Sequence, residues 1–71
     1  MDNDHLALRI RAFRKLKGLT QQQLADRMGV SVAVLGSLER GTRRPDSRLM
    51  MRIAESLGID YDELTGNEQR A

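Results

Sequence analysis

The 71-residue sequence has no cysteine or tryptophan, and only one histidine, one proline, one phenylalanine and one tyrosine. Without cysteine, disulfide frameworks and the usual structural zinc sites are excluded, which fits a reducing cytoplasm. No apolar run approaches the roughly 20 residues of a membrane span, and the N-terminus lacks the basic start and apolar stretch of a signal peptide. We therefore expect a soluble, cytoplasmic protein.

The sequence has few residues that could form a catalytic site. His5 lies near the N-terminus, with no cysteine or carboxylate cluster to complete a metal or nucleophilic site. Asp60, Asp62 and Glu63 suit the start of a helix, where acidic side chains interact favourably with the helix dipole. We predict no enzyme activity, and no cofactor, metal or small-molecule ligand is indicated.

The short length predicts a single domain over residues 1–71, with an ordered core of about residues 4–65 and short flexible termini. A chain of this size buries only about 60% of its unfolded surface, so its stability is marginal unless a partner or a second subunit adds to it. The length is therefore compatible with a homodimer.

The net charge of +2 conceals a strong asymmetry along the chain. Residues 9–48 contain ten lysines and arginines against three acidic residues, a local charge of +7, whereas the two flanks together carry −5. A segregated basic region is typical of a protein that binds a polyanion such as nucleic acid, although an ordinary solvated surface is the alternative.

Apolar residues recur at helical spacing in five segments, each followed within a residue or two by glycine, a common helix terminator. The pattern predicts helices over about 4–17, 21–28, 32–40, 47–57 and 61–64, the second to fourth capped by Thr20 (with Gln23), Ser31 and Asp46. The predicted inward residues are Leu6, Ile10, Phe13, Leu16 or Lys17, Leu24, Ala25, Met28, Leu35, Leu38, Met50, Ile53, Ala54 and Leu57. The fold class is all-α, a compact five-helix bundle.

The second and third helices carry the most specific pattern. Counted from Gln21 as the first position, the fourth, fifth, eighth, ninth, tenth, fifteenth and eighteenth residues are Leu24, Ala25, Met28, Gly29, Val30, Leu35 and Leu38. A small fifth residue lets two helices cross closely, and glycine at the ninth allows positive φ in the turn. This pattern resembles the helix-turn-helix of the phage-repressor and Cro-like family, often called the XRE type, and the resemblance spans Leu6 to about Leu64.

The resemblance implies a protein that binds double-stranded DNA and regulates transcription, with the third helix in the major groove. It assigns base contacts to the outward residues Val32, Ala33, Gly36, Ser37 and Arg40. Gln21 matches the family's phosphate-binding glutamine, and Ser31 suits a phosphate contact as well as a cap. Arg40, Arg43 and Arg44 are placed to reach phosphates or a minor groove.

Two further sets of residues are expected to be structural. Arg14 and Glu39 match a family ion pair between the first helix and the end of the third, which keeps a carboxylate away from DNA phosphates. Ile59, Tyr61 and Leu64 are the candidate dimer contacts. The alternative for Ile59 and Leu64 is that they close the core of the monomer.

The third helix departs from the family pattern, because the family commonly has Arg, Gln or Asn among the outward positions that read bases. Val32 and Ala33 suit apolar contact with thymine methyl groups instead. Glycine in mid-helix costs about 1 kcal/mol relative to alanine, so Gly36 predicts a close approach of the helix backbone to DNA, unless it reflects drift on an unconstrained face. A dimeric, sequence-specific regulator is favoured, and a protein-interaction or antitoxin-like module on the same fold is the alternative.

Overall fold

The computed structural model describes residues 3–66, with side chains from residue 5 onward. It contains five helices: α1 (Asn3–Leu16), α2 (Gln21–Met28), α3 (Val32–Arg40), α4 (Ser47–Leu57) and α5 (Tyr61–Thr65). The predicted all-α, five-helix fold is confirmed, and α1 begins and ends one residue before its predicted bounds. The predicted disorder of the tail, residues 67–71, lies outside the described residues.

The predicted helix starts are formed by the side chains that the sequence indicated. Thr20 Oγ1 accepts a hydrogen bond from the Gln23 amide at 3.1 Å, and the Gln23 side chain accepts one from the Thr20 amide at 2.8 Å. Ser31 Oγ accepts from the amide of Val34 at 3.2 Å, and Asp46 Oδ1 accepts from that of Leu49 at 2.8 Å. Each bond satisfies an amide that the helix itself leaves without a partner.

The turn between α2 and α3 depends on Gly29. This residue has φ +72°, a left-handed conformation that side chains disfavour, and its amide donates to carbonyls in the last turn of α2. Only residues 29–31 separate the two helices. The short turn packs α2 against α3, as the helix-turn-helix pattern requires.

The core lies between all five helices. Its buried apolar residues are Ala7, Ile10, Leu24, Ala25, Met28, Leu35, Leu38, Ile53, Ala54, Leu57 and Leu64, and Leu6, Phe13 and Met50 are partly buried. The prediction for the end of α1 was wrong, because Leu16 is 76% exposed and Lys17 is also exposed. The chain leaves the helix there and turns, so that Leu19 packs against the core in its place.

Arginines join helix ends that are far apart in the sequence. Arg27 donates to the Ser56 carbonyl at 3.3 Å, near the end of α4, and Arg52 donates to the Met28 carbonyl at 3.2 Å, at the end of α2. Arg9 on α1 donates from Nε to the Leu64 carbonyl at 2.9 Å, in the last turn of α5. Cations at the negative ends of helices are favourable, so these bonds join α2 to α4 and α1 to α5.

Within residues 3–66, no helix is both long enough and apolar enough to cross a bilayer.

Candidate nucleic-acid interface

The first residue of α2 and the last of α3 share a basic recess. It has a volume of about 520 Å³ and is lined by Arg11, Arg14, Lys15, Thr20, Gln21, Glu39 and Arg40. The lining therefore holds four cationic side chains and one carboxylate. Sequence reasoning counted Arg11 and Lys15 only toward the net charge, although their spacing of four residues on a helix places them on one face.

Glu39 is the one acidic residue of this recess, and its charge is compensated within the protein. Arg14 Nε lies 2.6 Å from Glu39 Oε2 and Arg14 Nη2 lies 3.1 Å from Oε1, so the predicted ion pair is present and bidentate. The two side chains are only 10% and 4% exposed. Arg14 Nη1 also donates to the Leu19 carbonyl at 2.8 Å, which ties the pair to the loop before α2.

Gln21 takes part in the same network, which the sequence did not indicate. Its Nε2 donates to Glu39 Oε1 at 3.1 Å. An amide nitrogen carries two hydrogens, so a second donor remains at the positive end of the α2 dipole. The bond to Glu39 fixes the orientation of an amide that could bind a phosphate oxygen.

Ser31, at the start of α3, is exposed. Its oxygen already accepts the capping bond from Val34, whereas its hydroxyl hydrogen is not used by that bond. The capping role and the predicted phosphate contact are therefore compatible.

The exposed side of α3 presents no nitrogen donor until its last residue. Val32 is 37% exposed, Ala33 is exposed and Ser37 is half-buried. The Ser37 hydroxyl donates to the Ala33 carbonyl at 3.1 Å, so in this geometry its oxygen can only accept from DNA. A contact from Ser37 to a phosphate, which needs a donor, would require the hydroxyl to break that bond and rotate.

Gly36 is not the open outward position that was expected. It is buried, and a Cβ atom there would lie 3.1 Å from Arg40 Nη1. Arg40 follows four residues later on the same helix face, and helical side chains lean toward the N-terminus of their helix. The guanidinium of Arg40 consequently covers the glycine.

Arg43 and Arg44 are exposed on the loop after α3 and do not line the recess. The loop is held to α3 by Thr42, whose amide donates to the Ser37 carbonyl at 3.1 Å and whose hydroxyl donates to the same oxygen at 3.3 Å. The following Pro45 is buried. The two arginines thus extend from a loop that is attached to α3 by hydrogen bonds.

The three residues predicted to contact a second chain differ in burial. Leu64 is 0% exposed and belongs to the core of the monomer, so it is not available to a second chain. Ile59 is half-buried and packs against the core. Tyr61 is 37% exposed, and its hydroxyl contacts Met50 Sδ at 3.9 Å. Only Tyr61 and the exposed part of Ile59 remain as candidates.

Among the described residues, no group of three or more histidines, cysteines, aspartates or glutamates is placed to hold a metal ion. His5 is exposed on α1.

The sequence is similar to a helix-turn-helix family and to transcriptional regulators. The helix-turn-helix family model matches residues 10–64. The uncharacterized HTH-type transcriptional regulator YazB of Bacillus subtilis is 49% identical over 61 residues, which cover 86% of this chain and 88% of YazB. The immunity repressor protein of Bacillus phage phi105 is 37% identical over 60 residues, 84% of this chain and 42% of the repressor.

Solved structures of regulatory proteins have the same fold. The restriction-modification controller protein C.AhdI from Aeromonas hydrophila superposes with a TM-score of 0.84 at 32% identity, covering 87% of this chain and 94% of C.AhdI. The clp gene regulator ClgR from C. glutamicum superposes with a TM-score of 0.83 at 30% identity, covering 97% and 95% of the two chains. The chain belongs to the XRE-type (HTH_3) helix-turn-helix family of DNA-binding transcriptional regulators.

Proposed function

We propose that the protein binds specific duplex sites as a homodimer in the cytoplasm, with α3 in the major groove, and that it catalyses no reaction. The observation that carries this proposal is the basic recess at the start of α2. Its one carboxylate, Glu39, is neutralised by Arg14 and holds Gln21, so the surface presents donors and cations without a competing negative charge.

We assign two kinds of contact. Phosphate contacts come from Gln21, Ser31, Arg43 and Arg44, with Arg11 and Lys15 at the edge of the recess. Base contacts come from Val32, Ala33, Ser37 and Arg40 on α3. Phosphate contacts fix the position of the protein on DNA, and base contacts give its sequence preference.

Binding to DNA should fall steeply as salt is added. The logarithm of the affinity is expected to fall by about 0.9 per neutralised phosphate for each tenfold increase in salt. Gln21→Ala and Arg43→Ala should weaken binding to all sequences alike, because neither side chain is assigned to a base. Fluorescence anisotropy with pooled genomic fragments and with one random duplex measures both effects.

Glu55→Ala is the matched control, because Glu55 is exposed on α4 and does not line the recess. If neither Gln21→Ala nor Arg43→Ala changes the affinity at low salt, the proposed docking is wrong.

A palindromic site should bind two chains. One reading helix spans only a few base pairs, so a second half-site about 34 Å away along the duplex is needed for useful specificity. We place the contact between chains at Tyr61 and Ile59, and Tyr61→Ala should weaken dimerisation. Analytical ultracentrifugation with and without the duplex measures the stoichiometry, and a monomer under both conditions would exclude the dimer.

The preferred half-site should contain thymines opposite Val32 and Ala33. Replacing each thymine by uracil removes only the methyl group, so binding should weaken by a few-fold per methyl group, or about 0.8 kcal/mol. The same replacement should have a smaller effect on a Val32→Ala protein at the base that Val32 contacts, because alanine offers less apolar surface to the methyl group. Equal affinity of the wild-type protein for thymine and uracil sites would contradict this assignment.

The alternative function, a protein-interaction or antitoxin-like module, is favoured by the lack of nitrogen donors on Val32, Ala33 and Ser37. Such a module has no need of the recess or of Gln21. Absence of salt-dependent duplex binding in the anisotropy experiment would favour it.

A further inference from the structure

Arg40 is the only residue on the exposed side of α3 that carries nitrogen donors. Val32 and Ala33 have none, and the Ser37 hydroxyl is bonded to the Ala33 carbonyl. Among the described residues, the Arg40 guanidinium makes no hydrogen bond or ion pair, and the side chain is exposed. All five of its N–H donors are therefore available to a ligand.

Arg40 is nevertheless the last residue of α3, while the base contacts of a recognition helix come from its N-terminal part. The geometry over Gly36 bridges this separation. The guanidinium reaches back over the preceding turn, about 5.4 Å along the helix axis, toward Val32. It therefore lies over Gly36, in the middle of α3, and not beyond the end of the helix.

A side chain at residue 36 would interfere with this arrangement. The Cβ position of an alanine lies 3.1 Å from Arg40 Nη1, closer than ordinary van der Waals contact, and apart from α3 itself nothing else approaches it within 4 Å. Only the flexible end of Arg40 would have to move. Alanine at residue 36 thus changes the guanidinium position and leaves the packing of the core unchanged.

We propose that Gly36 is a positioning residue whose lack of a side chain seats the Arg40 guanidinium on α3, from where it reads a guanine in the major groove. This inference rests on the proposed function. Arginine forms two hydrogen bonds to O6 and N7 of guanine, and this pairing depends on the position of the planar guanidinium. The glycine at residue 36 is then explained by the space that the Arg40 guanidinium needs. A close approach of the helix backbone to DNA, which the sequence suggested, is not needed to explain the glycine.

A double-mutant cycle tests the assignment. The affinities of the wild-type protein, Gly36→Ala, Arg40→Ala and the double variant are measured by anisotropy on a selected site and on the same site with 7-deazaguanine, which lacks N7. Arg40→Ala should weaken binding to the selected site by about 5- to 150-fold, the range for a bidentate contact, and should abolish the sensitivity to 7-deazaguanine. Gly36→Ala should weaken binding by about fivefold, as expected for the loss of one hydrogen bond.

The proposal requires that Gly36→Ala has no effect in the Arg40→Ala background and keeps its full effect in an Arg44→Ala background. The melting temperature of Gly36→Ala should not fall, since alanine is the better helix former. If Gly36→Ala weakens DNA binding equally with and without Arg40, the proposal is overturned. The glycine would then be explained by a close approach of the helix backbone to DNA. No weakening in either background would overturn it as well.

Two further outcomes separate this inference from the proposed function. If Arg40→Ala weakens all sequences equally and lowers the salt dependence by about one phosphate, Arg40 binds the DNA backbone and the guanine assignment is wrong. If the wild-type protein binds no duplex at all, the proposed function fails and the guanine assignment fails with it.

Discussion

Glu39→Ala should lower the melting temperature of the protein by more than about 10 °C, because removal of one partner from a buried ion pair costs about 3 to 5 kcal/mol. Arg14, whose side chain is 10% exposed in the wild-type protein, would keep only the Leu19 carbonyl as a partner for its guanidinium. Gln21 would also lose its bond to the carboxylate. Thermal unfolding followed by circular dichroism measures the shift.

Two variants show whether the loss comes from the unpaired arginine. Glu55→Ala removes an exposed acid on α4 and should change the melting temperature by only a degree or two, consistent with the small effect of most surface substitutions. The double variant Arg14→Met/Glu39→Leu removes both charges and should recover much of the loss, since apolar residues often replace a buried pair without cost. A melting temperature of Glu39→Ala equal to that of the wild-type protein would contradict the structural role of the pair.

The helices and their caps were predictable because their causes are local. Thr20, Ser31 and Asp46 each accept a hydrogen bond from an amide three residues away. Gly29 is required by the positive φ of its own backbone. Such contacts appear in the sequence as fixed spacings. The end of α1 was mispredicted for the complementary reason: periodicity alone extends the apolar face to residue 16 or 17, although the side chain of Leu16 is exposed and α1 ends at that residue.

The contacts that the sequence did not indicate join distant parts of the chain. Arg52 caps α2 from 24 residues away, and Arg9 caps α5 from 55 residues away. A surface arginine that caps a distant helix has no spacing that distinguishes it from a solvated one. The bond from Gln21 to Glu39 spans 18 residues and was likewise invisible, although both residues had been selected individually.

The sequence selected the residues of the proposed interface but gave only part of their geometry. The family resemblance selected Gln21, Gly36 and Arg40, but it treated Gly36 and Arg40 as independent outward positions. Their spacing of four residues was available from the sequence and indicates a shared helix face. The spacing does not give the rotamer that places Arg40 Nη1 3.1 Å from the position a Cβ atom would take at residue 36.

Gly36→Leu should abolish specific DNA binding while leaving the fold intact. Nothing outside α3 lies within 4 Å of the Cβ position at residue 36, and within α3 the Arg40 guanidinium can move aside, so the leucine side chain would project over the exposed surface of α3. It would displace the guanidinium and hold the helix away from the floor of the groove. The affinity for the selected site should therefore fall by about a thousandfold or more, to the level of non-specific binding, whose salt dependence is retained.

Glu55→Leu is the matched control, because it adds the same apolar side chain to an exposed helix position outside the recess. It should leave the site preference unchanged. The melting temperature of Gly36→Leu should equal or exceed that of the wild-type protein, since leucine favours helix more than glycine does. An unaltered site preference in Gly36→Leu would mean that α3 does not enter the groove, and the protein-interaction module would then become the better account of this surface.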